Sequence, residues 1–277
     1  MRGVTACGLL GLSLMLGVAH ADMIRLPGGD TRIGDDQGHP DERPAFSVHV
    51  PSFELDRGPV RVSAFANYVM QNGVQTDAQR LGSAAVMRFG SGRWTLIEGA
   101  YWRQPLGPQG PEAEADHPVT QVSWHDAQAY CAAQGKRLPS EIEFEYAARL
   151  AGHGDKHAFG RRLVEQGEYK ANVWTGVFPA INTAEDGYKA TSPVGAYGQD
   201  ALGFEDLAGN VWEWTADWYQ PYPPASGEAQ TEKVQRGGSF LCDPHVCYGF
   251  RVSARAHATP DSALMHVGFR CARDVKE

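Results

Sequence analysis

The sequence has 277 residues and a formal net charge of −8, and it contains 32 glycines and 17 prolines. The acidic balance argues against nucleic acid and against an anionic membrane surface as partners, because both carry negative charge themselves. The many turn-forming residues argue against a fold of long helices and predict a loop-rich domain. Such a domain needs additional stabilisation, for example from disulfides or bound metal.

The first 21 residues have the pattern of a secretory signal. Arg2 supplies a positive start, residues 8–18 form an apolar run, and Ala19 and Ala21 frame a small-residue cleavage site. The run is too short for a membrane span, which needs ~20 apolar residues. An uncleaved anchor is the alternative. We expect a periplasmic or secreted protein, with residues 22–277 as one domain.

Local patterns place four elements along the chain. Residues 46–50 alternate between apolar and polar side chains, which indicates a strand. Helices are predicted over 63–73 and over 123–135, the latter opening with a serine cap and ending at a glycine. A further helix begins after Ser140, which forms a capping box with Glu143. Most of the remaining sequence predicts irregular structure.

Four cysteines lie beyond the predicted signal, namely Cys131, Cys242, Cys247 and Cys271. In an oxidising compartment disulfides are the default, and four cysteines allow three complete pairings. Composition does not choose among the pairings, although the spacing suggests one distant pair and one close pair. Taken alone, the close pair is typical of an ordinary disulfide or of two buried thiols.

Four motif segments follow one another in a characteristic order. They are 117–119 leading into 122–127, then 135–141, then 209–215, then Arg236-Gly237-Gly238-Ser239 closing with Gly268-Phe269-Arg270-Cys271. Together they resemble the formylglycine-generating enzyme, or sulfatase-modifying factor, family. The resemblance implies an α+β fold, the loop-rich variant of the C-type lectin fold found in that family. Residues 102–108, 171–174 and 182–187 narrow the resemblance to its true oxidases.

The resemblance assigns chemistry to the close cysteine pair. Cys242 and Cys247 stand at the positions of the family's catalytic pair, and thiolate is a soft ligand that selects copper(I). A cysteine of a peptide or protein substrate is implied as a third sulfur ligand, with molecular oxygen as the oxidant. The oxidised cysteine becomes a thioaldehyde and hydrolyses to an aldehyde. Ser239 matches a serine near the oxygen site, and its alternative role is that of a turn residue.

The resemblance also implies two structural ties. Cys131 and Cys271 match the family's long-range disulfide, which joins the second predicted helix to the C-terminal motif. Calcium is the second tie, because it prefers hard oxygen ligands from carboxylates and main chain. The ligands implied for one ion are Asn172, Asp186 and the carbonyls of Val173 and Tyr188. Those implied for a second ion are Asp206, Glu213 and the carbonyls of Gly209 and Val211.

The residues that flank the close cysteine pair depart from the family pattern. Residues 243–246 read Asp-Pro-His-Val instead of His-x-Ser-Tyr, and a more basic run is replaced at 248–251. Both stretches lie where a substrate peptide is expected. Because contacts at the reacting centre set specificity, we expect a standard sulfatase peptide to be processed poorly.

Three functions from different classes remain at this stage. The first is a copper oxidase that converts a cysteine of an exported sulfatase to formylglycine. The second resembles the periplasmic family member that matures the chromophore of the siderophore pyoverdine, and the altered flanking residues favour it. The third is a non-catalytic protein that binds and neutralises a toxin. Retention of both Cys242 and Cys247 argues against a pure binder, which has no need for them.

Overall fold

The helices are short and carry little of the chain. The computed structural model describes residues 23–224 and 230–275, so the predicted signal lies outside the described residues. The helices are α1 (Val62–Asn72), α2 (Asp77–Leu81), α3 (Trp124–Ala133) and α4 (Glu141–Ala151). The three predicted helices are confirmed, and α2 is an addition. Across these two ranges, no helix is long and apolar enough to cross a membrane.

Capping explains where α3 and α4 begin. The hydroxyl of Ser123 accepts a hydrogen bond from the Asp126 backbone N–H at 3.0 Å, and Ser140 does the same for Glu143 at 3.0 Å. Each acidic side chain in turn accepts from the backbone N–H of its serine. These reciprocal bonds satisfy N–H groups that the first helical turn leaves without partners.

Among the described residues, the strands form one three-stranded sheet, one four-stranded sheet and four two-stranded antiparallel sheets. The first sheet has the order β1 (Met23–Leu26), β4 (Phe53–Asp56), β15 (Ala272–Asp274). The second has the order β13 (Ala256–Ala258), β12 (Lys233–Arg236), β11 (Trp212–Trp218), β14 (Val267–Gly268). The two-stranded pairs are β2 (Gly29–Ile33) with β3 (Phe46–Val50), β5 (Ser83–Arg88) with β6 (Arg93–Glu98), β7 (Val164–Glu165) with β8 (Glu168–Tyr169), and β9 (Gly176–Val177) with β10 (Ile181–Asn182). The predicted loop-rich α+β class is confirmed.

The main core lies between α4 and the strands β11 and β12. Phe144 of α4 and Trp214 of β11 are almost fully buried there. A second, smaller core lies beneath the β5–β6 hairpin and includes Trp174 and Phe240. This smaller core fixes the hairpin against the loop that follows β12, which is the loop with the two free cysteines.

A disulfide joins Cys131 of α3 to Cys271, the residue before β15, with Cα atoms 5.6 Å apart. This is the pairing that the resemblance implied, and it is confirmed. The bond connects residues 140 positions apart in sequence, and so ties the middle of the chain to its C-terminal motif. Closure of so long a loop stabilises the fold mainly by restricting the unfolded chain.

Candidate functional site

The loop after β12 turns sharply so that its two cysteines share one cleft. Gly238 has φ of +79°, and a Cβ at this position would come within 2.7 Å of the backbone of Gly249. Only glycine allows this close approach in that conformation. As a result, buried Cys242 and exposed Cys247 line the same cleft as free thiols.

Asp243 organises the backbone between the two cysteines. Its carboxylate accepts hydrogen bonds from the N–H groups of His245 at 2.7 Å and Val246 at 3.1 Å. Its carbonyl accepts from the N–H groups of Cys247 at 3.2 Å and Tyr248 at 2.9 Å. These hydrogen bonds fold the loop back on itself and direct Cys247 towards Cys242.

The two thiols interact with each other. Burial raises the pKa of Cys242 well above its usual value. The hydrogen bond from Cys242 lowers the pKa of Cys247. Cys247, on the solvent-facing side, therefore loses its proton more readily than Cys242. The two sulfurs together present two soft donors to an incoming ligand.

Ser239 links the thiol pair to a histidine. Its backbone N–H donates to the Cys242 sulfur at 3.4 Å, and its hydroxyl lies 4.0 Å from that sulfur. The same hydroxyl lies 3.2 Å from Nδ1 of His266. Burial lowers the pKa of His266 to about 3, so the imidazole is neutral. The sequence analysis missed His266, because no local pattern marks it.

The cleft has a volume of about 360 Å3 and is built from segments that lie far apart in the sequence. One wall combines Met87 and Trp94 of the β5–β6 hairpin with Phe178 of the β9–β10 turn. The Trp94 ring lies 5.0 Å from the ring of His266. This wall is apolar, and the sequence analysis did not identify its residues. Trp212 contributes from β11.

Tyr248 anchors the loop to buried His157. It has φ of +43°, an unusual value for a residue with a side chain. Its hydroxyl lies 2.9 Å from Nε2 of buried His157, whose Nδ1 lies 3.0 Å from the carbonyl of Gly160. Because Nδ1 donates to that carbonyl, Nε2 accepts the tyrosine proton. Burial lowers the pKa of His157, which keeps the ring neutral.

Charged side chains at the polar end of the cleft are paired with one another. Arg251 donates to both carboxylate oxygens of Glu42, and Arg255 to both oxygens of Glu141. Burial alone would raise the pKa of Glu42, but the hydrogen bonds from Arg251 and Ser253 lower it. These arginines are therefore already neutralised, and neither offers an open charge to a substrate.

The donor chemistry of the two thiols fits copper(I). A Cβ on Gly249 would lie 2.7 Å from the Cys242 sulfur and 2.5 Å from Cζ2 of Trp212, so only glycine lets the loop pack this closely against the buried sulfur. Two adjacent sulfur donors without a disulfide between them are a soft donor set. Cys242 and Cys247 are the residues that would hold the ion.

The first implied calcium set also fits its ion. The side-chain oxygen of Asn172 is buried and has no hydrogen-bond partner in the structure. Asp186 is held beside the residue that follows Asn172, since its carboxylate accepts from the N–H groups of Val173 at 2.9 Å and Tyr188 at 3.2 Å. Burial raises the pKa of Asp186. A hard cation would satisfy the amide oxygen and favour the carboxylate.

The second implied calcium set has a different partner. Both carboxylate oxygens of buried Glu213 accept hydrogen bonds from Arg270, each at 2.7 Å. The Asp206 carboxylate accepts from the N–H of Gly195 and from the side-chain amide of Asn210. A guanidinium thus already neutralises Glu213, and the residues do not fit a cation beside it as well as the first set does. Calcium held by Asp206, Glu213 and the carbonyls of Gly209 and Val211 stays a prediction.

Comparison with known proteins identifies the family of this chain. A family model described as "Sulfatase-modifying factor enzyme 1-like domain" matches residues 17–275. A formylglycine-generating enzyme of Streptomyces coelicolor is 40% identical, covering 91% of this chain and 89% of the relative. The "Inactive C-alpha-formylglycine-generating enzyme 2" of Bos taurus is 39% identical, covering 91% and 87%. The solved structure of PvdO from Pseudomonas aeruginosa has a TM-score of 0.69 and 28% identity, covering 91% and 94%.

The fold, the thiol pair and these relatives define an oxygen-dependent oxidoreductase. The chain belongs to the sulfatase-modifying factor family, which includes the formylglycine-generating enzymes. One relative is named inactive, so activity in this chain is argued from its own residues rather than from membership alone.

Proposed function

We propose that this protein is an exported, copper-dependent oxidase that converts a cysteine of a sulfatase-type polypeptide to formylglycine with molecular oxygen. The observation that carries the proposal is the pair Cys242 and Cys247, two interacting free thiols in one open cleft. A non-catalytic toxin-binding protein has no need of such a pair.

The residues of the site have two roles in this proposal, metal binding and proton transfer. Cys242 and Cys247 would hold copper(I), which when bound supplies redox chemistry with oxygen. In the overall reaction a cysteine side chain, oxygen, two electrons and two protons give an aldehyde, hydrogen sulfide and water, so an external thiol must act as reductant. Ser239 and neutral His266 form a hydrogen-bonded pair that can hold or pass a proton between Oγ and Nδ1.

Export is part of the same proposal. The predicted signal at residues 1–21 motivates it, and the disulfide between Cys131 and Cys271 supports it, because such bonds persist in oxidising compartments. Structural calcium at Asn172 and Asp186 is consistent with that location, where calcium is abundant enough for a weak site.

A second candidate substrate is a peptide natural product, such as the precursor of a pyoverdine-type siderophore. It is supported by the likeness to PvdO and by the altered residues 243–246 beside the thiols. The apolar wall of Met87, Trp94 and Phe178 also suits a substrate other than a basic sulfatase peptide.

The test uses the chain from residue 22 with copper(I), oxygen and a thiol reductant. Wild type should bind one copper(I) per chain and form an aldehyde on a cysteine peptide, detected by hydrazide trapping and mass spectrometry. Cys242→Ser and Cys247→Ser should each lose both properties, whereas Ser239→Ala should keep copper and lose turnover. Full activity in both cysteine variants would refute the copper proposal.

The substrate question is tested in the same assay. We expect low turnover of a sulfatase peptide that has proline and arginine at alternate positions after its cysteine. The reason is the changed loop at 243–246 and the paired arginines of the cleft. Efficient aldehyde formation on that peptide would establish the sulfatase substrate and remove the case for the second candidate.

A further inference from the structure

Exposed apolar side chains are concentrated around the cleft. Six of the ten large hydrophobic residues that are exposed in the described chain lie on the β5–β6 hairpin, on the β9–β10 hairpin or beside Cys247. We call them the apolar rim: Phe89, Trp94, Leu96, Val177, Ile181 and Val246. Scattered exposed hydrophobic residues are ordinary, but a group of them at one site marks a binding surface.

The apolar rim is continuous with the cleft. Trp94 lines the cleft itself, and Leu96 lies two residues along the same strand, so both side chains leave the same face of the hairpin. Leu96 is 72% exposed. On the neighbouring hairpin Val177, which is 63% exposed, is directly opposite Ile181, and the turn between them carries the cleft residue Phe178.

The two hairpins form one supporting surface. The N–H of Gly90 donates to the carbonyl of Pro179 at 2.8 Å. The ring of Phe89 lies 5.6 Å from that of Trp174, which in turn lies 5.1 Å from Phe178. The tips of the hairpins are therefore in contact, and a ligand that leaves the cleft on this side must pass over them.

The rim also carries unmatched positive charge. Arg88 and Arg93 are directly opposite each other at the end of the hairpin, and both are exposed. No carboxylate of the described residues lies within ion-pair distance of either one. Like charges in directly opposed positions destabilise a strand pair unless an anion lies near them. A partner with an acidic side chain would supply that anion.

We propose that the apolar rim docks an extended segment of the substrate polypeptide, on either side of the residue that reaches Cys247. This inference rests on the proposed function and adds the composition of the docked segment: apolar residues, with an acidic residue near them to face Arg88 and Arg93. A cleft of about 360 Å3 holds only a few side chains, so the flanking chain must lie on the rim.

The experiment measures binding of fluorescent peptides to the copper-free chain from residue 22. Three peptides share a central cysteine: a five-residue peptide, a fifteen-residue peptide with leucine, valine and one glutamate in its flanks, and a fifteen-residue peptide with serine and glycine flanks. Leu96→Asp and Val177→Asp are the rim variants. Met70→Asp is the matched control, because Met70 is 67% exposed on α1 and does not line the cleft.

The apolar-flanked peptide should bind wild type about tenfold more tightly than the serine-flanked one. Leu96→Asp and Val177→Asp should each bind the two long peptides equally, whereas Met70→Asp should keep the tenfold difference. The affinity for the five-residue peptide should be the same in wild type and in all three variants. Circular dichroism checks that each variant is folded. Equal binding of the two long peptides, or equal loss in Met70→Asp, overturns the inference. So does a concentration-dependent dimer that Leu96→Asp dissociates, since a second copy would then be the occupant.

Failure of the oxidase proposal is separable from failure of this inference. Peptide binding is measured without copper, so flank-dependent binding with no aldehyde formation refutes the oxidase and supports the rim. Aldehyde formation with no flank dependence in binding or in KM supports the oxidase and overturns the rim.

Discussion

At the scale of single residues, the site depends on how one exposed cysteine is held in place. Cys247 has little packing of its own, and its position comes from its neighbours along the chain. Asp243 forms hydrogen bonds within the loop, and Tyr248 anchors the loop to buried His157. The cysteine sulfurs therefore meet because of residues that the two-cysteine pattern does not include.

Replacing Tyr248 by phenylalanine should loosen the thiol pair while the ring stays in place. The lost hydrogen bond to His157 is worth on the order of 1 kcal/mol, so the tendency of Cys242 and Cys247 to pair should fall about fivefold. Equilibration with glutathione buffers, followed by alkylation and mass spectrometry, measures it. Tyr169→Phe, which removes a bond to Glu185 elsewhere, is the control. An equal change in both variants would contradict the anchoring role.

Acid should destabilise the protein through His157. Burial lowers the pKa of His157, so the folded protein binds fewer protons than the unfolded chain. The stabilisation is complete above the unfolded value of about 6.5 and is lost as the pH falls below it. Urea unfolding between about pH 7 and about pH 5 should show this decline. His157→Phe should make the decline shallower, with buried His266 supplying part of the slope that remains, while His49→Gln on exposed β3 should leave it unchanged. A slope unchanged in His157→Phe counts against the assignment.

At the scale of elements, the sequence predicted the helices that a local capping pattern marks. It missed the site residues that distant segments bring together. Helices α3 and α4 were predictable, because each begins at a serine with an acidic residue three positions later. The thiol pair and the disulfide followed from motif resemblance. Trp94, Phe178 and His266 come from separate segments, and their proximity depends on tertiary packing that no periodicity encodes.

The disulfide between Cys131 of α3 and Cys271, the residue before β15, should contribute strongly to stability. For a loop of 140 residues the chain-entropy model gives about 5 kcal/mol. The double variant Cys131→Ser, Cys271→Ser should lose about that amount in denaturant unfolding, and reductant should have no further effect on it. Wild type treated with strong reductant should behave like the variant. If the double variant had the same unfolding free energy as oxidised wild type, the disulfide would have no stabilising role.

At the scale of the whole molecule, calcium should act as a fold stabiliser rather than a catalyst. An ion bound only to the native state at about 100 times its Kd adds about 2.7 kcal/mol, or roughly 5–10 °C in Tm. Chelation should lower the Tm of wild type by this amount. Asn172→Ala should not respond to chelator, because the unpartnered amide oxygen is gone. It should melt no higher than chelated wild type, since it also loses the hydrogen bonds that the Asn172 amide donates to Ala190 and Asn210. A wild-type Tm that chelation leaves unchanged would argue against the site.

The stoichiometry of calcium distinguishes the two predicted sites. Because Arg270 already occupies both oxygens of Glu213, we expect one tightly bound calcium per chain, at Asn172 and Asp186. Equilibrium dialysis with elemental analysis measures the number. Two tightly bound ions in wild type, with one lost in Glu213→Gln, would show that the second set also binds.

The position of β4 has a consequence for how the chain is made. β4 pairs with β1, the first described strand, and with β15, the last, so this sheet is incomplete until the final segment has arrived. A ribosome delivers β15 long after β1 and β4. Until then the chain has neither the third strand of this sheet nor the Cys271 thiol, so neither the complete sheet nor the crosslink can form early. In the export that we propose, this late closure would leave the sheet and the disulfide to form after translocation.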